Sequence, residues 1–338
     1  MEIDPVTAVE ADQLAWCEIS AHADREQRPG EPERPVASFL ALLRHPHGVR
    51  VERHWAARDG AGTLVGWCTA SWRDSPDNPR LIEVDVAVRP DHRRQGIATA
   101  LLRPATEHAQ ASGRDVVTFA ALRDSSGAAF LAAHGVAEKI VERRSVLDIS
   151  ALDVAALEKW GAPSDDVVAA YTLVQWRDAC PDDLLNDHAA LRTAMNDAPR
   201  DDLEWEDETI TPAMVRAFEA AATTRGDQSW TTCARHIASG RLVALTDIAG
   251  PAGWPEWAFQ EDTVVIGSHR GHGLGRWIKS ANLQAVLADR PTTLAVETWN
   301  AGSNQHMLAI NDEMGFRPRG WWAELQIPLG VLETSLRS

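Results

Sequence analysis

Two stretches of the chain bring basic side chains and glycines together where a strand-like run ends. In the second half, Arg270-Gly271-His272-Gly273-Leu274-Gly275-Arg276 follows EDTVVI (261–266) and opens onto the helical pattern RWIKSANLQAVLAD. In the first half, Arg93-Arg94-Gln95-Gly96-Ile97-Ala98 follows LIEVDVAV (81–88) and opens onto TALLRPATEHAQASG. A strand, a glycine turn with exposed N–H groups and a helix starting at once make a site for a phosphate or diphosphate, because unpaired amides converge there with the positive end of the helix dipole. His269, Arg270, His272 and Arg276 crowd one turn, and Arg89, His92, Arg93 and Arg94 the other. These are local cationic spots in a chain with 33 basic and 49 acidic side chains and a net charge of −16. The Walker pattern fails, since Lys279-Ser280 follows Ile278, and G-x-G-x-x-G fails because Arg276 stands where the third glycine belongs. No cysteine or second histidine pair stands near His269 and His272, so no metal is expected.

The elements that must position these turns occur twice in the same order. After each helix comes a β-branched run, DVVTFAA (115–121) or TTLAVETW (292–299). A helix ended by glycine follows each: SSGAAFLAAHGV (125–136) closes at Gly135, and SNQHMLAINDEMGF (303–316) at Gly315. The offset is 177 residues from Arg93 to Arg270, and 180 both from Asp124 to Asn304 and from Gly135 to Gly315. A 338-residue chain accommodates two domains. The expected division is 1–160 and 161–338, with RRSVLDI (143–149) as the last strand of the first domain and YTLVQW (171–176) as the first strand of the second. The acidic run 201–208 reads as a solvated loop before a helix starting at Thr211-Pro212; an acidic lip for a cationic substrate is the alternative.

The spacing [Q/R]-x-x-G-x-[G/A] in Arg93-x-x-Gly96-x-Ala98 and Arg270-x-x-Gly273-x-Gly275 resembles the acyl-CoA diphosphate loop of the GCN5-related N-acetyltransferases (GNAT). The resemblance covers about residues 60–149 and 230–327. It implies an α/β fold of two tandem domains, each a splayed mixed sheet flanked by helices, and acetyl-CoA as cosubstrate. The second copy is the closer match. Its implied cofactor contacts are the strand end Val264, Val265 and Ile266, the loop Arg270, Gly271, His272, Gly273, Leu274, Gly275 and Arg276, and Asn300 and Asn304 beyond it. A weaker second site is implied at Arg93, Arg94, Gln95, Gly96, Ile97 and Ala98. The first copy departs from the family: Pro104 falls in its helix, Asp124 stands opposite Asn304, and Gly135-Val136 replaces Gly315-Phe316. The C-terminal domain is therefore expected to be catalytic and the N-terminal one accessory.

Acetyl transfer to an amine requires deprotonation of the ammonium, polarisation of the thioester carbonyl and protonation of the thiolate. Glu261 and Asp262 lie on the strand before the loop; alternation lets one of them face the cleft, with Glu261 favoured as base, and an edge or structural carboxylate is the alternative for either. The resemblance implies polarisation by backbone amides near Val265. The family's tyrosine acid is missing: Asn311 and Leu131 hold the matching positions, and the single tyrosine, Tyr171, lies in the opening strand. His306, a water or direct release of thiolate would have to replace it.

The expected reaction is acetyl transfer to a primary amine of a small molecule in a ternary complex. The alternatives are a protein or peptide acceptor, or a non-catalytic acyl-CoA-binding module. Net acidity excludes a nucleic-acid partner in the absence of a local patch. No apolar run reaches 18 residues, and MEIDPVTAVEADQLAW is acidic where a secretion leader is basic, so no membrane partner and a cytoplasmic setting are expected. Cys17, Cys68, Cys180 and Cys233 form no C-x-x-C pair and are expected to be reduced. A monomer and a homodimer are both compatible with the sequence.

Overall fold

The computed structural model describes residues 2–5 and 10–337; of the stretch read for a leader, residues 1 and 6–9 lie outside that set. The first elements are β1 (Glu2–Pro5), α1 (Glu10–Gln27), α2 (Val36–Arg44), β2 (Arg50–Arg58), β3 (Leu64–Arg73) and β4 (Leu81–Val88). They are followed by α3 (Ile97–Ala111), β5 (Val116–Leu122), α4 (Ser126–Ala133) and β6 (Ala137–Asp148). Next come α5 (Val154–Gly161), α6 (Asp165–Ala170), β7 (Tyr171–Arg177), α7 (Leu185–Thr193), α8 (Pro212–Arg225), β8 (Gln228–His236) and β9 (Leu242–Gly250). The chain ends with β10 (Trp257–Val265), α9 (Leu274–Asp289), β11 (Ala295–Ala301), α10 (Gln305–Met314), β12 (Arg317–Pro328) and α11 (Leu329–Arg337).

Two compact units result, but they do not divide at 160/161. One comprises Met1–Glu142, Arg200–Glu206 and Gly320–Ser338; the other comprises Arg143–Pro199 and Asp207–Arg319. In the first unit the strand order is β1-β2-β3-β4-β5-β12, and in the second it is β6-β11-β10-β9-β8-β7. Each unit thus takes its closing strand from the far part of the sequence. RRSVLDI (143–149), expected to finish the first domain, lies in the second unit, while Trp322–Pro328 of β12 pair antiparallel with Val116–Leu122 of the first. The reason is visible in the burial: Ala323, Leu325, Ile327, Leu329, Leu332 and Leu336 join Leu101, Leu102 and Phe119 in the first unit's core. The second unit's core gathers Leu147, Trp230, Ile248, Leu283, Val296 and Phe316.

The acidic run is tied down at its backbone. Within the first unit, Glu204 and Gln326 exchange hydrogen bonds of 2.7 and 3.1 Å, as do Glu206 and Asn78 at 2.7 and 3.3 Å. Residues 200–206 are therefore an anchored strap with outward carboxylates rather than a free loop. The helix after it begins as expected, with the Thr211 hydroxyl accepting from the Met214 amide and Pro212 in the first turn.

Pro104 is accommodated inside a continuous α3. Asp124 does not occupy the place of Asn304. The residue capping α4 is Ser125, whose hydroxyl accepts from Ala128, and Asn304 caps α10 by accepting from Met307. The 180-residue offset slips by one at the helix start, which removes the expected carboxylate from the capping position of the first copy.

Candidate active site

In each unit a parallel strand pair begins in register and then parts. β4 pairs with β5 over Leu81–Glu83 only, and β10 with β11 over Trp257–Phe259 only. Beyond those pairs β4 and β10 lose their parallel neighbour, leaving a wedge-shaped gap with one wall of unpaired backbone. The direction of the amides along β10 can be read from its other edge. Ile266 N–H donates to Val243 carbonyl at 3.0 Å, toward β9. Because amides alternate along an antiparallel strand, the Val265 N–H points the other way, into the gap.

The turn after each strand is built alike. Arg270 Nε donates to the Val265 carbonyl at 2.9 Å and its Nη2 meets Asp197 at 2.8 Å. Arg93 Nε donates to the Val88 carbonyl at 3.1 Å and its guanidinium grips Glu26 at 2.6 and 3.2 Å. Both arginines, expected as phosphate contacts, hold the strand end and a carboxylate instead. Arg94 (φ +63°), Gly96 (φ +78°), Gly271 (φ +84°) and Gly273 (φ +75°) take the left-handed turn that aims the amides outward. A Cβ on Gly271 or Gly273 would meet nothing within 4 Å, so the cradle is open on its outer side. Trp277 N–H reaches back to the Gly273 carbonyl at 3.2 Å, leaving the amides of Leu274, Gly275 and Arg276 without intrahelical acceptors. Ala100 does the same to Gly96, freeing Ile97, Ala98 and Thr99. Beside the first turn, a cavity of about 440 Å³ is bounded by Glu18, Ile19 and His22 of α1 and by Val88 and Arg89.

Of the remaining expected contacts, Val264 faces Leu245, Cys233 and Leu191 in a core cluster, and Val265 lies beside Gly275. Arg276 pairs with Glu313 at 2.5 Å, and Asn304 is engaged as the α10 cap. Asn300 accepts from Asn311 Nδ2 at 2.7 Å, and among the described residues the buried Asn311 Oδ1 has no partner. Turning both amides over preserves that contact and presents Asn311 Nδ2 as the free group. His306 is exposed on the first turn of α10.

Glu261 and Asp262 sit in a β-bulge, where the register between β10 and β9 shifts between Gln260 and Thr263. β4 pairs with β3 in unbroken register, so this irregularity belongs to the second copy. A bulge re-aims side chains, and here it separates the two carboxylates. Asp262 binds Arg192 Nη1 at 2.6 Å, and Asp247 binds Arg192 Nη2 at 2.7 Å. Burial opposes the Arg192 charge, but Asp247 and Asp262 outweigh it and hold the guanidinium protonated. Arg192 Nε also donates to His188 Nε2 at 3.2 Å; burial and the adjacent Arg192 charge push His188 down to about 3, so it stays neutral.

Glu261 makes no hydrogen bond or ion pair among the described residues. Its side chain is exposed to solvent at the bulge. Desolvation, then repulsion from Asp247 and Asp262, pushes its carboxyl up to about 8. The sequence singled out Glu261 and Asp262. It gave no sign of Arg192, Asp247 or His188, which lie on α7 and β9 and reach the bulge only through folding.

The first copy also has an acidic sheet face. The pairings Glu52–Ser71–Glu83–Thr118–Gln326 run across five strands on one side, and His54–Thr69–Asp85 lie in the next row. Arg50 bridges Glu83 at 2.8 Å, and burial pushes Asp85 up to about 6.

The sequence model of the acetyltransferase (GNAT) family matches residues 15–136. No curated protein sequence matches the chain. A solved tandem GNAT protein from the clavulanic acid biosynthesis pathway, determined without acetyl-CoA, is 29% identical; 97% of this chain and 98% of that one are covered, with a TM-score of 0.81. A GCN5-related N-acetyltransferase from Sphaerobacter thermophilus shares the fold at 14% identity, covering 97% and 96% of the two chains with a TM-score of 0.68. An acetyltransferase of the GNAT family from Colwellia psychrerythraea does so at 11% identity, covering 97% and 99% with a TM-score of 0.54. By these matches the chain is similar to the GNAT superfamily: residues 15–136 fit the family model and the whole chain has the fold of a tandem member, which supports an acetyltransferase. The matched segment is the first copy, the one ranked above as accessory, so the family match lends that ranking no support.

Proposed function

We propose that the protein transfers acetyl from acetyl-CoA to a primary amine of a small cationic molecule, by direct attack with both substrates bound, and that the second copy performs the chemistry. The observation that carries this reading is Glu261: a carboxylate without a partner, at a bulge beside the strand gap, with its proton affinity raised into the range of a general base. The open glycine cradle, the free amides at the start of α9 and the inward Val265 N–H fit a diphosphate and a thioester carbonyl. Acetyl-CoA supplies the activated acetyl group.

Every other task falls to this chain's side chains and amides. Glu261 takes the proton from the incoming ammonium. The Val265 N–H donates to the carbonyl oxygen as charge develops there. Arg192 holds Asp262 and Asp247 near the base, where their charges disfavour its ionised form. Asn311 can hydrogen-bond a departing sulfur but brings no proton; a thiol of ordinary pKa near 8.5 leaves as thiolate without needing one. The acidic sheet faces of both copies favour a cationic acceptor. A small-molecule acceptor is supported by the match along both whole chains to a protein of a biosynthetic pathway.

Thiol release from acetyl-CoA over a panel of small amines tests the proposal. Glu261→Gln is expected to lower the rate by about 10²-fold or more while cofactor binding persists. Acetylation of peptides in place of every small amine would replace the acceptor, and tight cofactor binding without any transfer would make the protein a binding module.

A further inference from the structure

Beside the second glycine turn, four rings from three separate elements meet. Tyr171 opens β7, His236 ends β8, and His269 and His272 flank Arg270 in the turn. The Tyr171 hydroxyl lies 2.8 Å from His269 Nδ1. Its ring centroid is 5.4 Å from His236, 5.6 Å from His269 and 5.8 Å from His272, and His236 and His269 are 4.9 Å apart. Tyr171 is 5% exposed, so the cluster has a fixed centre. His236 Nδ1 also meets the Ser239 hydroxyl at 2.9 Å.

The charged groups around this cluster are already committed elsewhere: Arg270 to Asp197, Arg276 to Glu313 and Arg241 to Asp187. No carboxylate contributes to His269; burial, then repulsion from His236 and His272, lowers its proton affinity. Among the described residues no carboxylate is paired with any of the three imidazoles. Among the described residues they form no metal-binding group. The first copy is built differently. At the 177-residue offset, Gln95 stands for His272, and His92, which stands for His269, lies 2.9 Å from the Asp91 carboxylate. That histidine already has its anion.

We propose that His236, His269 and His272, centred on Tyr171, form a phosphate-binding patch continuous with the Gly271–Gly273 turn, and that they take up protons when a phosphate group of the cofactor docks there. This rests on the reading that the second turn holds acetyl-CoA. A docked phosphate supplies the missing anion, raises the proton affinity of the imidazoles, and is in turn bound more tightly as pH falls. The same fall in pH protonates Glu261, so binding and turnover respond to pH in opposite directions.

Dephospho-CoA is the probe, because its diphosphate does not titrate in this range whereas the 3′-phosphate of CoA does, near pH 6. Calorimetric titration of the full chain between pH 8 and pH 6, in buffers of different ionisation enthalpy, is expected to show net proton uptake. The dissociation constant should fall about tenfold, the change that one unit of imidazole shift produces. The triple variant His236→Asn, His269→Asn, His272→Asn should bind with a flat pH profile and no proton uptake. His92→Asn, in the first copy, should keep the slope. A wild-type profile that is flat, or a slope that survives in the triple variant, overturns the inference and leaves the functional reading standing. Absence of binding by both CoA and dephospho-CoA at every pH overturns the functional reading itself, and the inference with it.

Discussion

The bulge residues show how much a single side chain depends on neighbours that are distant in sequence. Arg192 meets Asp247 and Asp262 across 55 and 70 residues, so no local pattern announces it. Glu261 was legible because it precedes a glycine turn at short range; its raised proton affinity was not, because the desolvation that mainly causes it, and the Asp247 and Asp262 charges that add to it, arise only when the chain folds. A carboxylate with a pKa of about 8 acts as base only when ionised, so kcat is expected to climb as pH rises through about 8 and to level above it. Arg192→Met strands two carboxylates; it should destabilise the second unit by about 3 kcal/mol, read by chemical denaturation, and move the kcat limb to higher pH. Lys279 gives a second pH effect. It is 1% exposed, with its ammonium 5.8 Å from the Phe316 ring, and desolvation pushes it down to about 7, while Leu102 holds the matching place in the first copy. The depressed value means that the unfolded chain binds the extra proton between about pH 7 and 10.5, so the lysine destabilises fully below pH 7 and progressively less above it. Lys279→Leu should therefore raise Tm more at pH 6 than at pH 9.5; an equal gain at both would show that the amine is not desolvated in the fold.

The strands, glycine turns and glycine-ended helices were readable because each is specified locally by alternation, by positive φ and by helix stops. The bulge in β10 was not, since nothing in Gln260-Glu261-Asp262-Thr263 announces that two residues stand opposite the single Asp247. Nor was the slip between Asp124 and Ser125, because either residue can cap a helix. The two turns are close to interchangeable in geometry, down to the arginine latched on the preceding strand. What separates them is the bulge and Glu261 on one side, and Asp85 on an unbroken strand on the other. Gly273→Glu adds a carboxylate to the cradle and a side chain to a left-handed residue, at about 1–2 kcal/mol of strain. It should abolish acetyl-CoA binding at the functional site, whereas Gly96→Glu should leave turnover largely intact. Equal losses of turnover would overturn the ranking of the copies.

The duplication could be read from two constant offsets, whereas the exchange of closing strands could not, because RRSVLDI and the Trp322–Pro328 segment are equally strand-like and either satisfies either edge by pattern. Pairing partners, not propensity, decide it. The consequence is that neither half of the sequence is a folding unit. Residues 1–160 lack β12 and α11, which bury Leu325, Leu329, Leu332 and Leu336 in the first unit's core. A 1–160 fragment is expected to be protease-sensitive, without a cooperative thermal transition. Deletion of 320–338 from the full chain should abolish the first unit's transition. A 1–160 fragment that unfolds cooperatively would contradict the unit boundaries.

A crystal structure of the full chain grown with acetyl-CoA would decide which turn holds the cofactor and what faces its acetyl group. The diphosphate is expected on the amides of Leu274, Gly275 and Arg276, the thioester carbonyl at the Val265 N–H and the acetyl group facing Glu261. Acetyl-CoA bound in the Arg93–Ala98 turn alone, with the Arg270–Arg276 turn empty, would contradict that placement.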